Sequence, residues 1–140
     1  IQVFIDTMET ALSKQQAALE GITDPVEKLQ SFIHVHFDVV KATPNLAEVL
    51  TVELRQSSKF MRGSDLRLFG QYLGVIARII EEGQEIGVFS RLVNPRTGAR
   101  AVFGALDELQ LEWATSDPAQ PVSEVCGNLV ELLLNGLRAR

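Results

Sequence analysis

Apolar residues along this chain recur at steps of three and four, the spacing that lines one face of a helix. Ile1, Phe4, Ile5, Met8, Ala11 and Leu12 keep that phase, which predicts an amphipathic helix stopping near Gly21. Thr23-Asp24-Pro25 restarts the chain, with Asp24 able to cap and Pro25 suited to the first helical position. Val26, Leu29, Ile33, Phe37 and Val40 form the stripe of a second helix, which Pro44 ends at Thr43. A third helix is expected over about 45–58, with Leu46, Val49, Leu50 and Leu54 inward. Residues 64–87 stand apart because their polar face is narrow: Arg67, Gln71, Gly74, Arg78, Glu81 and Glu85. One flanking stripe is Leu66, Phe69, Leu73, Ile76 and Ile80; the other is Leu68, Tyr72, Val75, Ile79 and Ile86. A helix on one surface needs only one stripe, so this fourth helix is expected at the centre of a bundle. Ser64 caps its start in this reading, and Gly87 is its stop.

Residues 88–93 read as a loop with apolar anchors, and Asn94-Pro95 as the start of a fifth helix. That helix carries Ala99, Val102, Phe103, Leu106, Leu109 and Trp113 on one side. Prolines at 118 and 121 break the chain. A sixth helix carries Val122, Val125, Cys126, Leu129, Leu133 and Leu137. Val130, Leu132 and Leu134 widen its apolar arc, which suggests cover from outside the monomer. No stretch alternates with the period of a strand. The expectation is an all-α fold of six helices with short connections.

Glycines at 70, 74 and 83 interrupt the fourth helix, each at a cost of about 1 kcal/mol relative to alanine. They admit two readings, close approach of a neighbouring helix or room for a ligand. Glu53 falls near the apolar face of the third helix, where a carboxylate needs a partner; Arg78 or Arg67 is the candidate.

Composition narrows the class. A chain of 140 residues suits one domain, here 1–140, and 46% hydrophobic residues at a net charge of −5 argue against disorder. That charge also argues against a grip on nucleic-acid phosphates by this region itself. No apolar run approaches the roughly eighteen residues of a membrane span, so no membrane partner is expected. One cysteine excludes an internal disulfide and agrees with a reducing, cytoplasmic setting. The start at Ile1, already in helical phase, suggests a fragment whose natural beginning lies upstream.

Candidate chemistry is sparse. His34 and His36, two apart on a helix, point about 200° from each other and cannot share a metal ion. No nucleophile–base motif, zinc-helix motif or glycine-rich phosphate loop is present, so neither a catalytic residue nor a metal ligand is assigned and an enzyme is not expected. Cys126 in an apolar stripe reads as an inert core thiol. The cations are more suggestive. Arg55, Lys59, Arg62 and Arg67 against Asp65 make one basic patch, and Arg91, Arg96 and Arg100 make another. Two such patches flanking an apolar helix could receive an anionic head group, though solvated side chains explain them as well.

The segments VELRQSSKF at 52–60, IIEEGQEIGVFSRLVNPRTGARAVFGALDELQLEW at 79–113 and VCGNLVELLLNGL at 125–137 resemble the C-terminal regulatory domain of TetR-family transcriptional repressors. ELRQS and FGALDE look most like the FadR-like, acyl-CoA-responsive branch that controls fatty-acid degradation. The resemblance covers essentially the whole chain. It implies a missing N-terminal helix-turn-helix domain, through which alone operator DNA would be bound. It implies no cofactor, and a homodimer whose last two helices pair with their copies in a four-helix bundle. The interface is then assigned to Gly104, Leu111, Leu129, Leu132, Leu133 and Gly136. A long-chain acyl-CoA is the implied effector, with another hydrophobic drug or metabolite as the alternative. An acyl tube is assigned to Phe37, Leu50, Phe69, Tyr72, Leu73, Ile76 and Phe103, with Glu53 on its wall. Tyr72 is expected to bond the thioester carbonyl through its hydroxyl. The head group is assigned to Arg62, Arg67, Arg91 or Arg96, whose fork-shaped donors suit phosphates.

Overall fold

Helix boundaries fall where the sequence places its punctuation. The computed structural model describes residues 2–42, 64–116 and 120–139. Within them lie five helices: α1 Gln2–Leu19, α2 Pro25–Ala42, α3 Ser64–Glu85, α4 Pro95–Thr115 and α5 Val122–Leu137. The helix expected over 45–58 lies outside the described residues, as do Leu50, Glu53, Arg55, Lys59 and Arg62. Asp24 Oδ1 accepts from the Val26 N–H at 3.0 Å, so the cap on α2 forms as its sequence suggests. Asn94 Oδ1 accepts from Arg96 N and Thr97 N at 2.9 and 3.3 Å, with Pro95 opening α4. The end of α3 is a Schellman turn. Val88 N donates to Gly83 O at 2.9 Å and Gly87 N donates to Gln84 O at 3.2 Å. Gly87 makes this possible with φ of +83°, a conformation costly for any residue with a Cβ.

The connection after α3 is more ordered than a loop with apolar anchors implies. Gln84 Nε2 donates to Ser90 O at 2.9 Å and to Val93 O at 2.6 Å, which folds the segment back over its own helix. Phe89 is fully buried and Val93 packs at the core's edge, but Leu92 is 97% exposed and Ile86 63% exposed. Ile86 therefore leaves the stripe assigned to it, because it lies past the last turn of α3. Ser90 N donates to Leu137 O at 2.7 Å and Ala139 N to Val88 O at 3.1 Å, so the segment also ties down the end of α5.

The centre of the bundle is shared. α3 packs against α1, α2 and α4, as a helix with two apolar stripes must. α2 packs against all four other described helices. Its inward residues run Pro25, Leu29, Phe32, Ile33, His36, Phe37 and Val40. Phe32 and His36 double the width of the stripe read from the sequence. α5 spends its wide arc largely within the chain: Val125, Cys126, Leu129, Leu134 and Leu137 are buried, and Val130 and Leu133 rest against the core. Only Leu132, 70% exposed, projects as a large apolar side chain, so most of the arc needs no cover from outside. Lys28 Nζ meets Glu82 Oε2 at 2.7 Å and joins α2 to α3. No described helix is long and apolar enough to cross a membrane.

Candidate functional site

Polar residues at core-facing positions of four helices meet inside the bundle. Gln15 of α1 is 0% exposed, in phase with Met8, Ala11 and Leu12. Its Nε2 donates to Phe32 O of α2 at 2.9 Å and to the Tyr72 hydroxyl of α3 at 3.2 Å. The Tyr72 oxygen lies 2.7 Å from His36 Nδ1, and His36 Nε2 lies 2.8 Å from Gln110 Oε1 of α4. These contacts settle where the protons sit. Phe32 O fixes which end of the Gln15 amide donates, so Tyr72 accepts from Gln15 and donates its own proton to His36 Nδ1. His36 is then the Nε2–H tautomer and donates to Gln110. Burial holds this imidazole neutral, lowering its pKa from the ordinary 6.5 to about 4, against the opposing pull of the Gln110 bond. Burial likewise raises the Tyr72 pKa, with the Gln15 bond opposing. Gln15 Oε1 is buried and has no hydrogen-bond partner among the described residues.

Aromatic rings surround this chain of bonds. Phe32 lies 5.1 Å from Tyr72, and Phe103 meets Phe69 edge-on at 5.1 Å. Phe37 and Ile76 are fully buried, while Phe69 and Phe103 are half-buried. The assigned tube residues thus divide. Phe37, Tyr72 and Ile76 belong to the buried core, and the Tyr72 hydroxyl bonds His36 and Gln15. His34, by contrast, faces solvent, as its opposite direction requires. No group of three metal-ligating side chains occurs among the described residues.

Leu73 and Arg96 do come together, in a cleft of about 160 Å³ between α3 and α4. Gly70, Gly74 and Ala77 form the rest of its α3 wall, and Ala99 and Arg100 join Arg96 on α4. An alanine Cβ built at Gly70 or Gly74 meets nothing within 4 Å among the described residues, so these glycines leave space. Gly83 differs: a Cβ there would strike the Phe89 ring, so this glycine serves close packing. Close packing therefore accounts for Gly83, while Gly70 and Gly74 border space among the described residues. Neither Arg96 nor Arg100 has an ion-pair partner among the described residues, which leaves two guanidinium groups beside an apolar floor.

Other clefts are less suited to an anion. One of about 580 Å³ between α1, α2 and α3 is lined by Glu20, Lys28, Gln71, Arg78 and Glu82, among others. Its two cations are already engaged, since Lys28 and Arg78 both reach Glu82. Arg91 sits beside Glu81 and Glu85, and its Nε donates to Gln84 O at 3.1 Å. Arg67 is exposed. Of the assigned interface residues, Gly104, Leu132 and Gly136 are exposed and Leu111 and Leu133 are half-buried. Leu129 is 2% exposed, so its side chain has no surface left for a partner.

Residues 4–136 match the TetR C-terminal family described as YsiA-like protein, C-terminal region. The chain belongs to this TetR family. It is 26% identical over 137 residues to the fatty acid metabolism regulator protein of Bacillus subtilis strain 168, covering 98% of this chain and 71% of the relative. The structure of the fatty acid degradation regulator FadR from Bacillus halodurans superposes with a TM-score of 0.85 at 30% identity, covering 99% of this chain and 72% of that one. AibR, solved in complex with isovaleryl coenzyme A and operator DNA, shares the fold at a TM-score of 0.72 and 15% identity, covering 95% and 74%. The B. subtilis and B. halodurans relatives are regulators of fatty acid metabolism and degradation. Within the TetR-family region, sequence reasoning missed Gln15, Gln110 and the inward role of His36. The available signal was phase: each sits three or four residues from a core position on its helix, where a buried polar group requires partners.

Proposed function

We propose that this region senses a long-chain acyl-CoA and dimerises, releasing a cytoplasmic TetR-family regulator of fatty-acid metabolism from its operator when the ligand binds. DNA would be held only by a helix-turn-helix domain outside this chain. Binding would favour the conformation in which the two reading heads are misplaced, as a population shift. The observation that carries the ligand class is the α3–α4 cleft, where Arg96 and Arg100 flank the apolar floor of Gly70, Leu73, Gly74 and Ala77. Guanidinium forks suit phosphate oxygens, and an apolar floor suits the carbon chain that follows them. At about 160 Å³ the cleft is below the roughly 300–1,000 Å³ of whole-ligand pockets, so it holds one part of a ligand. The naming of a B. subtilis relative for fatty acid metabolism and the coenzyme A thioester bound by AibR support the same class.

Titration of the chain with octanoyl-, lauroyl- and palmitoyl-CoA and with free coenzyme A tests this. Affinity should climb with length, because each buried methylene contributes roughly 0.8 kcal/mol. Replacing Arg96 and Arg100 by Gln should weaken all thioesters together. A flat response to length, or equal binding of free coenzyme A, rules the acyl reading out; a hydrophobic drug bound regardless of the arginines would replace it.

The dimer reading is supported by exposed Leu132 beside Gly136 on α5, with Gly104 likewise open on α4. Leu132→Asp places a charge where a partner would bury it and should give monomers by light scattering. An unchanged dimer would put the interface elsewhere.

A further inference from the structure

α1 is held differently from its neighbours. Among its residues whose burial is described, the most deeply buried is polar: Gln15 is 0% exposed, while Met8, Ala11 and Leu12 retain 7–9%. α2, by contrast, buries Leu29, Phe32, Ile33 and Phe37 completely. α1 packs extensively on α2 and α3, and α4 on α2, α3 and α5, but α1 and α4 share no such packing. One continuous path nevertheless joins them, because donation runs from Gln15 to Tyr72, then His36, then Gln110. A chain with one direction of donation responds as a unit, since losing one end removes the reason for each proton's position. Its α1 end is also the under-satisfied end, because Gln15 Oε1 has no partner among the described residues. The other end lies on α4, the helix carrying Arg96 and Arg100, and Tyr72 directly precedes Leu73 of the cleft floor.

We propose that Gln110, His36, Tyr72 and Gln15 couple the α3–α4 cleft to α1, so that a ligand wedged between α3 and α4 loosens or tightens the hold on α1. The four are positioning residues, and the ligand's identity rests on the acyl-CoA reading above. A wedge that shifts α4 against α3 strains the Gln110–His36 bond, and the strain passes through a fixed tautomer rather than through compliant apolar contacts.

Amide hydrogen exchange on the 140-residue chain tests the coupling first without ligand. Gln110→Leu should speed exchange of α1 amides about five- to tenfold relative to those of α5. Val102→Ala, a buried apolar change on α4, should speed both helices alike. In a Tyr72→Phe background, where the path is already cut, Gln110→Leu should add nothing at α1. If Gln110→Leu behaves like Val102→Ala, or its effect adds fully to that of Tyr72→Phe, the proposal is overturned. With palmitoyl-CoA, α1 exchange should change in the natural sequence, and that response should vanish in Gln15→Met while affinity persists. Binding with no change at α1, or an unaltered response in Gln15→Met, also overturns the coupling. Failure of palmitoyl-CoA to bind at all overturns the ligand reading instead, and the ligand-free comparison still decides the path.

Discussion

The two halves of α3 are built on opposite plans. Towards its C-terminus the helix is closed and dry. Ile76, Ile79 and Ile80 are buried, the Phe89 ring covers Gly83, and Ile80 and Val93 crowd Gly98 of α4. Gln84 and the Schellman turn then lock the exit. Towards its N-terminus Phe69 is half-buried, Gly70 and Gly74 are exposed and have no described neighbour where a Cβ would stand, and Tyr72 enters a hydrogen-bonded core. The same residue type thus fills a tight contact at 83 and leaves a gap at 74. One end is a scaffold, and the other is where shape can change at small cost.

Acid should break this comparison most strongly, through the N-terminal half. His36 titrates near 6.5 when unfolded and at about 4 when folded, so between those values the unfolded chain binds more protons. Stability is therefore full above the unfolded pKa and falls as pH drops through this window, by roughly 3 kcal/mol in all. Urea unfolding across the window measures it. His36→Gln should flatten the step, and His34→Gln, at an exposed position, should leave it. A step that survives His36→Gln would mean that carboxylates dominate.

Next in size is the scaffold half. Gly83→Ala should destabilise by about 1–3 kcal/mol, because the new methyl displaces a fully buried ring. The smallest effect has the opposite sign: Gly74→Ala should stabilise by up to about 1 kcal/mol, since alanine favours helix and its methyl meets none of the described residues. Thermal melts of the two variants side by side are decisive, and equal signs would erase the distinction between the halves.

How much of this was legible can be judged residue by residue. Asp24-Pro25, Gly87 and Asn94-Pro95 marked their helix ends correctly, because capping and backbone freedom are local properties of a few atoms. The all-α class and the central place of α3 were legible from periodicity for the same reason. The motifs at 79–113 and 125–137 pointed to the TetR family, which the match over 4–136 bears out. What the stripes could not show is which inward residues meet. Phe37, Tyr72 and Ile76 were assigned to one tube and are buried in the core, and a helical stripe says that a residue is buried but not what fills the space beside it. Arg100 was read as part of a basic patch and stands one helical turn from Arg96, yet only the approach of α4 to α3 sets the pair beside Gly70 and Gly74. Gln15, His36, Tyr72 and Gln110 lie up to 95 positions apart on four helices. Hydrogen bonds act over about 3 Å, so local sequence fixed each residue's inward phase, while only the tertiary packing of the bundle decided that the four would form one chain.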